Sequence, residues 1–288
     1  MTVLSNKIDF AVILSVRNAN PNGDPLNGNR PRQNYDGHGE ISDVAIKRKI
    51  RNRLQDMGED IFVQSNDRSN DGFKSLRERA ESNKYLAEAS KSKDKSEEKF
   101  AHIACQEWID VRSFGQVFAF RGSSARGSGV SVGVRGPVSI HTATSIDPID
   151  ITSMQITKSV NTEPGDKRGS DTMGTKHRVD FGVYVFYGSI NTQLAEKTGF
   201  TIDDAEKIKQ SLITLFENDA SSARPEGSME IRQVYWWKHN SKLGQYSSAK
   251  VHRQLKINSK VENPKSFSDY EVSLDKIDDL SVEIIDGQ

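Results

Sequence analysis

A chain of 288 residues, 34% hydrophobic and 28% charged, holds one large domain or two small ones around a substantial core, which excludes a mini-protein. Forty basic and forty acidic side chains sum to a formal charge of zero, and the single cysteine, Cys105, excludes an intramolecular disulfide or a thiolate metal cluster. Met1 to Lys7 has no apolar signal core, and no stretch reaches the ~18 apolar residues of a bilayer span, so a cytoplasmic protein outside the membrane is expected.

Ile8 to Val16 (IDFAVILSV) reads as a buried strand that ends at the breaker-rich Asn18 to Pro25, and a long irregular loop follows to about Ile41. Ser42 sits where an N-cap belongs, with Asp43 in the first turn. Ile46, Ile50, Leu54 and Met57 then recur at helical spacing over an arc of about 80°, leaving Lys47, Arg48 and Arg51 on a cationic flank. Asp60 to Ser96 is polar and mixed in charge, and is expected to be an inserted, partly helical and mobile subdomain. Hydrophobic order returns at Ile103–Ile109 and Phe114–Phe120, before the arginine-glycine run Arg121 to Gly129. Val130 to Ile140 and Ile149 to Val160 read as strands. A polar excursion, Asn161 to Thr175, then leads into the apolar strand Val183–Tyr187, which predicts a protruding β-hairpin. Thr201 caps a helix whose buried stripe is Ala205, Ile208, Leu212, Leu215 and Phe216, and Ile231 to Lys238 is the strand after it. The order predicts an α+β fold of ferredoxin-like or RNA-recognition type, with helices on an antiparallel sheet.

The zero net charge conceals segregated patches. Arg30 to Arg53 and Arg112 to Arg135 each carry a net +4, whereas Glu262 to Gln288 carries −6. A cationic helix flank, a glycine-asparagine loop and an acid-free arginine-glycine loop together suit a phosphodiester track, because they hold phosphates without reading bases. Catalytic apparatus is not apparent: the six histidines lack zinc-hydrolase spacing, and no nucleophile elbow or ATP-binding loop occurs. Asp24, Asp36 and Asp43 form a conceivable carboxylate set, although loop aspartates more often make turns and caps. Trp236 and Trp237 are a possible stacking platform, but neighbouring strand residues face opposite ways, so at least one belongs to the core.

Several motifs in order resemble a known family. Asn18 to Arg32 (NANPNGDPLNGNRPR) with Asp36-Gly37 and Ile41 to Arg51, Arg135-Gly-Pro-Val138 with Ser145 to Pro148, Thr172 to His177, Thr198 to Thr201 and Leu215 to Arg224 are similar to the backbone subunit of type I CRISPR Cascade complexes, closest to the type I-C form. The resemblance implies a hand: an RNA-recognition-type palm with an antiparallel sheet (about 8–57 and 131–257), an inserted fingers subdomain (about 58–130) and a protruding β-hairpin thumb (about 156–180). It implies several copies in a head-to-tail filament on a CRISPR RNA guide, recognising a complementary target DNA strand beside a guide-processing subunit and a large subunit, with no catalytic site, metal or cofactor. On this chain the guide would be held by Asn20, Asn22, Gly23, Arg30 and Arg32 of the first loop and by Lys47, Arg48 and Arg51 of the helix. Arg121, Arg126 and Arg135, and the thumb residues Lys158, Lys167, Arg168, Lys176, His177 and Arg178, would complete the contacts. Residues 258–288 match nothing in the family pattern and read as an acidic tail that docks on a neighbour. Related type III backbone subunits cut RNA with a loop aspartate, which keeps a guide-dependent nuclease as the alternative.

Overall fold

The computed structural model describes residues 2–89, 96–120, 130–157 and 173–288. The first segment contains β1 (Ile8–Ala19), the short β2 (Gly23–Asp24) and β3 (Arg30–Pro31), β4 (His38–Ile41) and α1 (Asp43–Asp56). An insertion follows, with α2 (Leu76–Ser82), α3 (Lys84–Ala89), α4 (Ser96–Glu107), α5 (Ile109–Phe114), β5 (Gly115–Phe120) and β6 (Val130–Arg135). The chain then returns through β7 (Val138–Ile140), β8 (Ala143–Pro148), β9 (Ile151–Thr157), β10 (Met173–Ile190), α6 (Thr192–Thr198), α7 (Ile202–Ile213) and β11 (Met229–Lys238). It closes with α8 (Ser248–His252), β12 (Leu255–Ser259), β13 (Tyr270–Leu274) and β14 (Val282–Asp286).

The main sheet is antiparallel with the order β14-β11-β1-β10-β8-β4, and β7 and β9 pair with further stretches of β10. Within it, β11-β1-β10-β8 are joined through α1 and α7 in the β-α-β-β-α-β connectivity expected from the element order. Every residue of β1 from Ile8 to Val16 is buried, so the sheet is covered on both faces. Phe10, Val12, Leu14 and Val16 pack with Ile46, Ile50 and Leu54 of α1 and Ile208 and Leu212 of α7. Ala11 and Ile13 point the other way, into a layer made by Val251, Leu255, Tyr270 and Leu280. Both predicted helices begin at their predicted caps: Ser42 Oγ accepts from Ala45 N at 3.3 Å, and Thr201 and Asp204 form a capping box.

Trp236 and Trp237 face opposite sides of the sheet, and both are buried, one in each layer. Neither is a stacking platform.

The insertion has its own core of Phe62, Leu86, Phe100, Trp108, Phe118 and Val132. Phe62 touches both Trp108 and Phe118, with ring centroids 4.6 and 5.0 Å apart. Its described residues are therefore a packed subdomain, and polar composition concealed a small aromatic core. β6 pairs with β5 throughout, so the insertion extends to Arg135 instead of ending at 130. Cys105 is buried here, and burial pushes its thiol up to about 12 although the Arg112 cation pulls the other way.

Residues 258–288 are not a tail. β13 pairs with β12, β14 adds an edge strand to β11, and Tyr270 and Leu280 help to cover the sheet. In β14 (Val282-Glu-Ile-Ile-Asp286), Val282 packs against one layer and Ile285 against the other while Glu283 and Asp286 are exposed, a segment that composition alone reads as polar. Asp9 ties the adjoining segment from His239 to Ser248 to β1. It is fully buried on β1, with His239 Nε2 at 2.8 Å and Lys7 Nζ at 3.0 Å. Burial pushes its carboxyl up, but hydrogen bonds with His239, Ser248 and Lys7 prevail, leaving it below the ordinary carboxylate value.

Two outcomes follow. Removing residues 262–288 uncovers the layer over Tyr235 and Trp237, so the truncated chain should lose its cooperative melt and bind a hydrophobic dye; a soluble product with unchanged Tm would refute this packing. Asp9→Ala should lower stability by about 3 kcal/mol in urea titrations at pH 7. Because the native carboxyl is held below the ordinary 3.8, its contribution is whole above that pH and is lost as pH falls through the native value, so the two unfolding curves converge in acid.

Candidate nucleic-acid interface

The first loop is built by its own asparagines. Asn18 and Asn29 take left-handed backbone angles (φ 53° and 61°), which asparagine tolerates better than most residues. Asn20 is only 3% exposed, and its Nδ2 donates to Asn29 O at 2.6 Å. Asn22 Oδ1 accepts from Ser42 N at 2.9 Å, which ties the loop to the start of α1. At Gly23 a Cβ would lie 2.0 Å from Asn29 Oδ1, so only glycine fits. Asn20 and Gly23 thus shape the loop; the buried Asn20 side chain is not available to hold a phosphate as expected.

Four of the five basic residues of α1 are engaged with other parts of the protein. Arg51 Nε donates to the fully buried Asp110 at 2.9 Å, its guanidinium lies 5.0 Å from the Phe114 ring, and Asp110 also accepts from the amides of Phe62 and Val63. Arg48 donates to Val63 O, and burial and then the Arg51 cation lower its pKa. Lys49 pairs with Asp219 and sits 5.4 Å from the Phe216 ring; burial lowers its amine to about 8, the pull of Asp219 being opposed by Arg224. Arg53 donates to Thr214 Oγ1 at 2.7 Å. The expectation that Arg48 and Arg51 hold a phosphate backbone gives way to a structural role: they clamp α1 to the insertion. Lys47 has, among the described residues, only an i,i+4 pair with Asp43 at 2.9 Å, a half-buried helix-surface contact of a few tenths of a kcal/mol that leaves it available.

The predicted hairpin exists at its base, where β9 and β10 pair from Ile151↔Val179 to Thr157↔Met173. β10 is one 18-residue strand that serves both the core and this arm. Its residues 173–178 continue past the last partner on β1, a reach of about 20 Å. Lys158, Lys167, Arg168, Arg121 and Arg126 lie outside the described residues.

Strand alternation divides the arm's base. Lys176 and Arg178 share a face with Met154 and Ile156, whereas His177 lies on the other face with Ser153 and Gln155, so these three consecutive residues do not act together. Lys176 is exposed and has no acidic partner among the described residues, and the same holds for Arg135 at the end of β6. Arg178 lies 3.5 Å from Asp180. Arg30 reaches the arm from the first loop: its Nη1 donates to Ser153 Oγ at 3.0 Å, and that oxygen lies 2.8 Å from His177 Nδ1. Arg32 is 3.5 Å from Asp24. Loop and arm together therefore place Arg30 beside His177, from segments far apart in sequence, while Lys176 lies on the arm's other face. Ser153 carried no sequence signal, because a lone strand serine is unremarkable until its partners are known.

Two of the three aspartates of the alternative reading have local duties. Asp24 caps a short 3-10 turn by accepting from Leu26 N at 3.2 Å, and Asp43 pairs with Lys47. No helix among the described residues is long and apolar enough to cross a membrane.

An α+β domain with a two-sided sheet, a packed insertion and a cation-bearing arm is the class defined here. The sequence pattern described as CRISPR-associated protein Cas7 matches residues 6–275, and the chain belongs to that family. A CRISPR-associated protein Cas7 of Haloferax volcanii is 27% identical over 235 residues, covering 77% of this chain and 67% of the relative. Among solved structures, a chain of a CRISPR RNA-guided surveillance complex in a pre-nicking state aligns with a TM-score of 0.48 at 17% identity, over 80% of this chain and 78% of that one. A chain of another CRISPR RNA-guided surveillance complex aligns with a TM-score of 0.46 at 16% identity, over 80% and 68%.

Asp110→Ala would leave the Arg51 guanidinium and two amides without their acceptor. It should cost about 3–5 kcal/mol of stability by chemical denaturation, whereas Asp43→Ala, which removes only a helix-surface pair, should cost under about 1 kcal/mol.

Proposed function

We propose that this chain is a non-catalytic scaffold of a CRISPR surveillance complex, of the type I-C form: several copies lie head to tail along a CRISPR RNA guide and hold its backbone while its bases pair with a DNA strand. Membership of the Cas7 family over residues 6–275 carries the reading, and Arg30 and Lys176, cations of the first loop and arm with no acidic partner among the described residues, support it. In the implied hand, the main sheet with α1 and α7 is the palm, the insertion the fingers and the β9–β10 arm the thumb. Pairing supplies sequence specificity and the protein supplies shape and backbone contacts. The local duties of Asp24 and Asp43 favour a scaffold over a loop-aspartate nuclease.

Salt dependence tests this. With about four phosphates neutralised per protomer, log K for single-stranded RNA should fall with log salt at a slope of roughly −3. Lys176→Ala should flatten the slope by about 0.7 for every guide sequence, whereas Arg51→Ala should lower Tm and leave the slope of the folded protein unchanged. A short RNA of defined length should co-purify with a ladder of protomers. Regular magnesium-dependent cuts in guide-paired RNA, abolished by an Asp-to-Asn change in the first loop, would overturn the scaffold reading.

A further inference from the structure

We propose that Ser153 is a positioning residue that couples Arg30 of the first loop to His177 of the arm, so that the two side chains meet one phosphodiester as a unit, with His177 contributing a neutral Nε2–H donor. The inference rests on the RNA-binding reading above. It starts from two contacts on one oxygen: Arg30 Nη1 lies 3.0 Å and His177 Nδ1 lies 2.8 Å from Ser153 Oγ. Arginine only donates, so the hydroxyl oxygen accepts from Arg30. The hydroxyl proton is then free to point at His177 Nδ1, and the guanidinium's charge polarises the O–H and makes it the better donor. An imidazole that accepts at Nδ1 carries its proton on Nε2. That N–H is directed away from Ser153, toward solvent on the face of the arm that also carries Gln155 and Thr175.

The opposite face is organised separately. Thr152 Oγ1 donates to Asp180 Oδ2 at 2.8 Å, and Arg178 lies 3.5 Å from the other oxygen of the same carboxylate. Acidic partners thus stand on the Thr152 side and none is bonded to Arg30, Ser153 or His177 among the described residues. Arg30 therefore keeps its remaining N–H groups for an anion. Ser153 also joins two segments 123 residues apart, fixing the arm's base against the loop before a ligand arrives, so that less ordering is needed on binding.

The test uses the full-length protein, a single-stranded RNA oligonucleotide and three variants. Two-bond nitrogen–proton NMR of the free protein at about pH 8, above the ordinary imidazole range, should show His177 with a bare Nδ1 and a protonated Nε2. In Ser153→Ala that pattern should collapse to a tautomer mixture, and RNA affinity should fall about fivefold, the loss of one ordinary hydrogen bond. The salt slope should stay as in the wild type, because no charge is removed. Ser153→Thr, which keeps the hydroxyl, should restore both readouts. Arg30→Ala should lower affinity and flatten the slope by about 0.7. Finding His177 protonated on Nδ1 in the free protein, or Ser153→Ala binding RNA as tightly as the wild type, would overturn the proposal. If the wild type bound no RNA, the functional reading itself would fall, while the tautomer of free His177 would still report on the hydrogen-bond relay.

Discussion

A central strand buried from Ile8 to Val16 cannot be left with one face in water, and most of the architecture answers that constraint. Each face of β1 demands a covering layer. α1 and α7 supply one, and α8, β12, β13 and the segment around Leu280 supply the other. The second layer has a functional consequence. A four-stranded sheet of this connectivity can receive nucleic acid on an open face, with aromatic side chains stacking on bases; here the aromatic residues Tyr235 and Trp237 on that side are buried under the C-terminal segment. In the proposed reading, contacts with RNA therefore fall to the first loop and the arm.

The same segregation governs the charges. Zero net charge conceals a dense set of internal ion pairs beside exposed groups of both signs, among them Lys176 and Arg135, which have no acidic partner among the described residues. Asp110 with Arg51, Asp219 with Lys49 and Asp204 with Arg112 join α1, the insertion and α7 into one body. Such pairs are costly to break and contribute modestly when whole, so they define geometry more than they add stability. Among the described residues of the first loop, the arm and β6, Arg30, Lys176 and Arg135 are cations without an acidic partner. The proposed filament of adjoining copies would tolerate this arrangement better than a uniformly basic protomer, because like charges are not stacked at every junction.

Much of the fold was legible in local patterns. The helix from Ser42 announced itself by cap and spacing, the Thr201 helix by its capping box, and the arm by a long polar excursion between two strand-like runs. The insertion and the C-terminal segment were misjudged for a common reason. Their apolar residues are spaced too widely for a periodic signal, and each becomes hydrophobic surface only when distant parts, such as Phe62 with Phe118 or Tyr270 with Tyr235, are brought together. The basic flank of α1 misled in the opposite direction. Lys47, Arg48 and Arg51 look alike in sequence, yet a buried carboxylate 59 residues beyond Arg51 decides that it faces inward.

The amino-acid sequence alone determined the elements whose causes are local: the buried strand, the two capped helices, the glycine and asparagine positions of the first loop, and the order of motifs that marks the family. Tertiary structure alone decided which charges are paired, which aromatic residues are covered and which side chains of the arm share a face. Those outcomes depend on partners separated by tens to hundreds of residues, and on the two-residue alternation of a strand whose register is set by its neighbours. Arg30, Ser153 and His177 become one arrangement only when the fold closes the distance between them.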